Sequence, residues 1–244
     1  MTSLMHRFAL IAAAVALSGT SAWAQFKGDS TWLRTPVKQP RNSIHQRWLS
    51  GGLTFTQGFT TILDDARSDY FVKPSLAGGL VLSINPVSWI SLTSGLVHEQ
   101  HGAGILMPDL VGGIGNADST HRTRLRLNTW GVPLGASIRT PVLFDNTRLS
   151  ASYGFTYHHL ARATKVYHSI EDGFHQVEEY TSFFQPNFWT NYWTVGVEIE
   201  VPRSAVLQLH YVASRSNANV YRGGPFEGTQ GILFCQGLKL STLF

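Results

Sequence analysis

Residues 231–244 read Gly231-Ile-Leu-Phe-Cys-Gln-Gly-Leu-Lys-Leu-Ser-Thr-Leu-Phe244 and alternate between apolar and small or polar side chains. In an extended strand, successive side chains point to opposite faces of the sheet. A strand with one lipid-compatible face and one polar face is the unit from which transmembrane β-barrels are built. On the apolar face lie Ile232, Phe234, Leu238, Leu240 and Phe244, and on the other face Gly231, Gly237, Lys239 and Ser241.

Seven segments before this strand show the same alternation, so the sequence contains eight candidate strands. They lie near residues 48–60, 72–84, 90–98, 124–140, 147–160, 188–200, 205–214 and 231–244. We expect the apolar faces of these strands, which include Leu80, Val132, Val195 and Leu240, to point outward to lipid. Eight is the smallest even strand number of transmembrane barrels.

The connections between these strands alternate in length. Short ones follow the second, fourth and sixth strands, at Asn85–Ser88, Pro141–Asn146 and Val201–Ser204. Long polar ones lie near 61–71, 99–122, 161–187 and 215–229. Barrels of the outer membrane have this asymmetry. The sequence therefore predicts an all-β fold, an eight-stranded antiparallel up-and-down transmembrane β-barrel with short periplasmic turns and long extracellular loops.

The amino-terminal segment has the features of an export signal. His6 and Arg7 precede an apolar run, and Ala22-Trp23-Ala24 has the small-x-small form of a signal-peptidase site. The run is shorter than the roughly 20 residues that a membrane-spanning helix needs. We expect a signal peptide at 1–24, a periplasmic lead-in at 25–46 and the barrel at 47–244, located in the cell outer membrane. The aromatic Phe244 resembles the terminal signal that such barrels present for insertion.

The composition agrees with a barrel. Only 14% of the residues are charged, whereas soluble domains average about 25%. A soluble lipocalin-like barrel would turn its apolar face inward, and periodicity alone does not distinguish the two cases. The net charge of +4 favours lipopolysaccharide phosphate as a partner. We expect outer-membrane lipid and lipopolysaccharide as partners, with other outer-membrane or periplasmic proteins as further candidates, and no nucleic acid.

Several ionisable side chains fall on inward faces of the predicted strands. Because an eight-stranded barrel is about filled by its own side chains, a wide pore is disfavoured. Buried charges need partners, so we expect an internal salt-bridge network, with a proton or ion path as the alternative. The residues concerned are Lys73, Arg139, Glu198, Glu200, His210 and Lys239.

Histidines cluster toward the predicted outer side. The pairs His98-x-x-His101 and His158-His159 could contribute to a metal or haem site, because neutral imidazole is a good transition-metal ligand. On loops that no local structure fixes, ordinary polar roles are favoured, so the sequence predicts no metal ligand and no cofactor. The full set comprises His98, His101, His121, His158, His159, His168 and His175.

A hydrolase is the enzymatic alternative, since lipid A deacylases are eight-stranded barrels that use serine and histidine on the wall. Here His210, Ser214, Ser216 and Asn217 lie close together in the sequence. Their spacing departs from the His-x-Ser-Asn run of that family, and alternation does not bring a nucleophile and a base within hydrogen-bond reach. We therefore predict no enzymatic activity and no catalytic residue.

The segment Leu125-Arg-Leu-Asn-Thr-Trp-Gly-Val-Pro-Leu-Gly135 resembles the "leucine, x, x-Pro-Leu" strand of the PorT-like outer-membrane barrels common in Bacteroidota. Lys73-Pro-Ser-Leu-Ala-Gly-Gly-Leu and Trp89-Ile-Ser-Leu-Thr-Ser-Gly-Leu are similar to that family's second and third strands. The likeness covers about 49–157 and more loosely the mature chain. It implies a small barrel whose founding branch serves in type IX secretion, although that branch's amino-terminal strand is not found here, and it supplies no catalytic residues.

These observations favour a structural or interaction role, as a subunit of an envelope or type IX secretion assembly. Two alternatives stay open at this point, which are a lipid A or phospholipid hydrolase of the outer membrane and a narrow small-solute channel.

Overall fold

A computed structural model of the chain describes residues 48–64, 70–107, 121–143, 146–168, 175–201, 205–223 and 229–244. The predicted signal peptide, residues 1–24, and the predicted lead-in, residues 25–46, lie outside the described residues. The described residues belong to one compact unit, Asn42–Phe244.

The described chain consists almost entirely of β-strands, with one 3₁₀ turn at Thr181–Phe183. None of its helical segments has the length and apolar character needed to cross a bilayer. The strands are β1 Leu49–Asp64, β2 Tyr70–Phe71, β3 Lys73–Val87, β4 Ile90–Met107, β5 His121–Arg139, β6 Thr147–His168, β7 His175–Glu179, β8 Asn187–Val201, β9 Ala205–Ser216 and β10 Gly231–Leu243.

Eight of these strands form a closed antiparallel barrel. Each pairs with its neighbour in the order β1-β3-β4-β5-β6-β8-β9-β10, and β10 pairs again with β1 from Gly52↔Leu243 to Asp64↔Gly231. The short strands β2 and β7 add to β4 and β6. Closure leaves no unpaired sheet edge, which a strand structure within lipid requires. The eight-stranded up-and-down barrel predicted from the sequence is confirmed.

The apolar side chains point outward along every barrel strand. Leu80, Val132, Val195 and Leu240 are 59, 37, 51 and 50% exposed, although large apolar residues of a soluble protein would be inside. Inward neighbours such as Thr194 are small, polar and buried. This polarity is that of a transmembrane barrel, and the lipocalin-like alternative does not apply.

Four exposed tryptophans form two rims that bound the apolar surface, and a fifth, Trp193, lies between the rims. Trp48 and Trp89 lie at the end with the short connections, and Trp130 and Trp189 lie toward the other end. The Arg139 amide donates to the Trp89 carbonyl, so β5 crosses from one rim to the other between residues 130 and 139. That length matches the roughly 9–11 residues of a transmembrane strand. The protein is an outer-membrane barrel, with the short connections on the periplasmic side.

The outer parts of the strands are longer than predicted. β4 continues to Met107 and β6 to His168, so segments predicted as loops from residue 99 and from residue 161 are strands. In β6, Ala161 is an extra residue, because Asn128 pairs with Arg162 whereas Thr129 pairs with Leu160. Such a bulge interrupts the alternation of faces. The hydrophobic period is lost there although the hydrogen-bonded ladder continues.

The barrel interior, here called the lumen, is closed at its outer end by apolar side chains. Phe184 of the segment after the 3₁₀ turn bridges to Tyr221 near β9, which draws two outer connections over the lumen. Tyr180 and Phe183 pack against the same group. The outer apolar cluster comprises Ile62, Ala103, Leu125, Leu127, Leu160, Ala163, Phe184, Phe188, Val220, Tyr221 and Leu233.

Candidate functional site

Large inward rings are accommodated by glycines on the neighbouring strands. Tyr192 of β8 extends across Gly154 of β6 toward Gly135 of β5, and a Cβ on either glycine would collide with its hydroxyl. His158 of β6 lies opposite Gly131 of β5, where a Cβ would be 3.3 Å from its Nδ1 atom. Glycine permits this close approach because it has no side chain. The glycines of the wall therefore set how far these rings reach into the lumen.

Glu99, His101 and His158 meet below the outer apolar cluster and form what we call the lumenal triad. Glu99 Oε2 lies 2.7 Å from His101 Nε2 and 3.9 Å from His158 Nδ1. The two imidazole rings are edge to face, with centroids 5.6 Å apart. One ligand atom from each residue falls within 4.8 Å of the others. Two imidazoles and a carboxylate are a donor set that binds first-row transition metals.

The two histidines of the triad differ in their hydrogen bonding. His158 Nε2 is 2.9 Å from Thr190 Oγ1, and its ring stacks on Phe188 at 4.8 Å. Neither ring nitrogen of His101 makes a hydrogen bond of acceptable geometry, despite the short distance to Glu99, and the residue is 4% exposed. Buried polar atoms without a well-formed hydrogen bond are costly, and among the described residues the ring nitrogens of His101 and the Nε of Arg148 are in this state.

A cavity of about 90 Å³ adjoins the triad on its periplasmic side. Threonines, Cys235 and Lys239 line it together with Glu99 and His101. Tyr192 separates it from a smaller cavity of about 20 Å³. Lys239 acts electrostatically on Glu99 but makes no hydrogen bond or ion pair with a described residue. The middle of the lumen thus holds one ammonium group beside room for several waters.

Charged side chains fill the periplasmic end of the lumen in an inner charged network. Arg139 Nε donates to Glu198 Oε2 at 2.7 Å, and both side chains are 1% exposed. Arg139 Nη1 also donates to Asn85 Oδ1 at 3.2 Å, and Gln208 Nε2 donates to Glu198 Oε1 at 3.0 Å. The predicted internal salt bridge is confirmed for this pair. Arg148 is also buried, and its Nη1 donates to the Ser88 carbonyl oxygen at 3.4 Å, an inward position that the sequence reasoning missed.

Other residues predicted for this network are placed differently. His210 Nε2 lies 2.7 Å from Ser150 Oγ and contacts no carboxylate in the described chain. Lys73 Nζ donates to the Leu125 carbonyl oxygen at 3.2 Å, at the outer end of the barrel. Both side chains face inward as predicted, but the ion pairs expected for them are not formed among the described residues.

In each of the two histidine pairs predicted from the sequence, one side chain points outward from the barrel wall and the other points into the lumen. His98 packs outside against Trp130, with ring centroids 5.0 Å apart, and His159 is exposed and contacts Asn187. Their partners His101 and His158 point inward. The prediction that His101 is a loop residue was wrong, because β4 continues to Met107. His158 lies on β6, within the strand predicted near 147–160. His121, His168 and His175 are at strand ends, and their side chains lie outside the described residues.

The residues considered for a hydrolase are not assembled into one site. His210 contacts Ser150. Ser216 Oγ accepts from the Leu233 amide and donates to the Ala218 carbonyl, and Asn217 is exposed. Ser214 lines the larger cavity, four residues along β9 from His210. No described hydrogen bond joins the predicted nucleophiles to this base.

Solved structures similar to this chain include small bacterial surface proteins. Neisserial surface protein A shares 4% identity over 81% of this chain and 98% of its own, with a TM-score of 0.45. The outer membrane protein OprG from Pseudomonas aeruginosa shares 10% identity over 80% and 96%, with a TM-score of 0.42. Ail, the attachment invasion locus protein of Yersinia pestis, shares 9% over 80% and 98%, with a TM-score of 0.37. Such low identities and TM-scores carry no information about function.

No protein-family model and no curated protein matches the chain. The resemblance to PorT-like barrels therefore stays a prediction from three strand motifs.

Proposed function

We propose that this outer-membrane barrel is a non-enzymatic structural and interaction component of the envelope, acting as a subunit of a larger assembly. The observation that carries the proposal is a lumen filled by side chains at both ends. A barrel whose lumen is filled at both ends is suited to act through its outer surface.

Side chains of the wall strands themselves fill both ends of the lumen. At the periplasmic end, Arg139 and Glu198 bridge the lumen from β5 to β8 and are almost fully buried. At the outer end, the outer apolar cluster includes side chains with no exposed surface, among them Ile62 and Leu125. The cavities between these two plugs, of about 90 and 20 Å³, hold waters rather than a solute path. This arrangement supports an interaction role over a channel.

The exposed outer surface carries arginines just beyond the lipid-facing band. Arg126 and Arg124 follow the same outward face of β5 as the rim residue Trp130, and Arg162 lies opposite Asn128 on β6. At about 3.3 Å per residue, Arg126 and Arg124 lie roughly 13 and 20 Å along the strand beyond Trp130, on the side where the headgroups of the outer leaflet are. Guanidinium groups bind phosphate in bidentate geometry. This supports lipopolysaccharide as a direct partner.

The larger assembly has a specific form if the PorT-like resemblance holds. In that case a type IX secretion machine is one candidate assembly, because the founding branch of that family serves there, although the amino-terminal strand of that branch is not found in this sequence. The long outer strands β4, β5 and β6 then offer the surface on which other envelope proteins would dock.

Native purification tests the proposal. We expect the full-length protein, extracted in mild detergent, to co-purify with lipopolysaccharide and at least one envelope protein. The paired change Arg124→Glu and Arg126→Glu should lower the bound lipopolysaccharide several-fold, because it replaces attraction to phosphate by repulsion. The paired change to lysine keeps the charge and is the matched control. Quantification of lipid A phosphate and mass spectrometry of the eluate give the readouts.

Three results would contradict the proposal. One is a solitary protein whose lipopolysaccharide content is unaffected by the charge reversal. Conductance steps in planar bilayers would favour the channel instead. A changed lipid A profile in cells carrying His210→Ala would favour the hydrolase.

A further inference from the structure

We infer that the lumenal triad, Glu99, His101 and His158, is a binding site for a divalent transition-metal ion of the Zn²⁺ type. The site lies at the level of the outer rim, because Glu99 pairs with Thr129 and His158 pairs with Gly131, next to Trp130 on β5. The inference is independent of the envelope role proposed above.

The geometry of the triad is close to that of a metal site. A tetrahedral ion with bonds of about 2.0–2.2 Å holds its ligand atoms roughly 3.3–3.6 Å apart. The distances from Glu99 Oε2 to His101 Nε2 and to His158 Nδ1, 2.7 and 3.9 Å, bracket this range. All three ligand atoms lie within 4.8 Å of one another, so a bound ion requires them to move closer together.

The state of His101 is the second, independent observation. The residue is 4% exposed, and its Nε2 lies 2.7 Å from Glu99 Oε2, yet neither ring nitrogen makes a hydrogen bond of acceptable geometry, whereas buried polar groups nearly always make one. The ring borders both Glu99 and the cavity of about 90 Å³. A metal ion between His101 Nε2 and Glu99 Oε2 would coordinate both atoms in place of this short contact.

His158 is already oriented as a ligand. Metal-binding histidines usually donate the N–H of their second nitrogen to a neighbouring group, which fixes the tautomer. Here the 2.9 Å contact between His158 Nε2 and Thr190 Oγ1 has that function. When Nε2 donates in this contact, the lone pair is on Nδ1, which faces Glu99 at 3.9 Å and the Thr129 hydroxyl at 3.5 Å. Stacking on Phe188 further restricts the ring.

Water in the adjoining cavity can provide the remaining ligand, whereas the nearby Lys239 ammonium opposes the positive charge of the ion. The adjoining cavity is large enough for water to complete the coordination sphere. Lys239 lines that cavity and is close enough to act on Glu99, so its ammonium repels a cation. A proton held between Glu99 and His101 is the competing occupant, and Zn²⁺ must displace it. A bound ion would link Glu99 and His101 of β4 to His158 of β6, across the intervening strand β5.

Titration of the folded protein with Zn²⁺ alone tests the inference. The full mature chain, without a histidine tag, is refolded in detergent micelles and titrated by calorimetry, and Co²⁺ is used to report ligand geometry by its visible absorption. We expect one site whose affinity for Zn²⁺ falls by more than about 100-fold in His101→Ala and in His158→Ala. Substitution of a residue that only hydrogen-bonds to a metal ligand already lowers metal affinity by about 10–100-fold. His98→Ala and His159→Ala are matched controls on the outer face of the same strands, and should leave the affinity unchanged.

Two milder variants keep the test decisive where a ligand substitution prevents folding. Thr190→Val removes only the partner of His158 and should weaken Zn²⁺ binding by about 10-fold. Lys239→Gln removes the repelling charge and should strengthen it several-fold. Absence of Zn²⁺ binding to folded wild-type protein, or equal losses in the inward and the outward histidine variants, would overturn the inference.

Discussion

Replacing Arg139 by leucine is expected to lower the free energy of unfolding by about 3–5 kcal/mol, the range for breaking a buried ion pair. The substitution removes the cationic partner of the Glu198 carboxylate, which is 1% exposed. Gln208 Nε2 still donates a hydrogen bond to this carboxylate. It also removes the hydrogen bond from Arg139 to Asn85. The loss of stability comes mainly from leaving the Glu198 carboxylate buried without its cationic partner, rather than from the lost attraction between the two charges.

A double-mutant cycle separates these contributions. Urea unfolding in lipid vesicles, followed by tryptophan fluorescence, should show that Arg139→Leu with Glu198→Leu is more stable than Arg139→Leu alone. Arg162→Leu removes an exposed arginine of the outer surface and should change stability by less than about 0.5 kcal/mol. Strictly additive effects of the two lumenal changes would mean that the pair does not hold the periplasmic end.

Tyr192→Ala is expected to cost about 3 kcal/mol, the lower end for deletion of a large buried ring, because water can enter the space that it leaves. Tyr192 is 8% exposed and separates the two cavities of the lumen. Tyr192→Phe keeps the ring across Gly154 and should cost less than about 1.5 kcal/mol. The measurement is the same unfolding experiment in vesicles.

The glycine beneath the ring provides a test with a specific sign. Gly135→Ala should destabilise the wild type by about 1–3 kcal/mol, because its methyl group collides with the Tyr192 hydroxyl. In the Tyr192→Ala background the nearest remaining atom is the Tyr153 carbonyl oxygen at 3.1 Å, so the same change should cost much less. Equal costs in both backgrounds would show that Tyr192 does not occupy this position.

The membrane-spanning wall could be predicted from the sequence because two solvents act on it. Lipid requires apolar side chains on one face and the lumen favours small or polar ones on the other, so exposed apolar residues such as Trp130, Val132 and Leu134 recur with a period of two. The alternation of short and long connections is a second indication of a barrel that can be read from the sequence. These constraints end where the strands leave the bilayer.

Beyond the rim the signal disappears although the strands continue. Arg124 and Arg126 occupy outward positions that would be apolar within lipid. In β6, the extra residue Ala161 inverts the faces, so that Leu160 and Ala163 both point inward. No local pattern marks such a bulge, and the outer strands were therefore predicted as loops.

The lumenal triad was within partial reach of the sequence. Alternation with Leu96 outward already places Glu99 and His101 on one inward face, and Tyr157 outward places His158 inward. That His158 meets Glu99 depends on the register of β5 between them, which pairs Gly131 with His158 and Thr129 with Glu99. Register between strands that are distant in the sequence is a tertiary property, which composition and spacing do not record.

The outward direction of the apolar face is tested most directly by nitroxide labels in lipid vesicles. Single cysteines at Leu80, Val132, Val195 and Leu240, in a Cys235→Ser background, are labelled and compared with a label at Arg126 beyond the outer rim. We predict collision with oxygen and protection from a water-soluble nickel chelate at all four positions, and the reverse at Arg126. Four labels that are immobile and shielded from oxygen, or as open to nickel as Arg126, would contradict a lipid-facing wall.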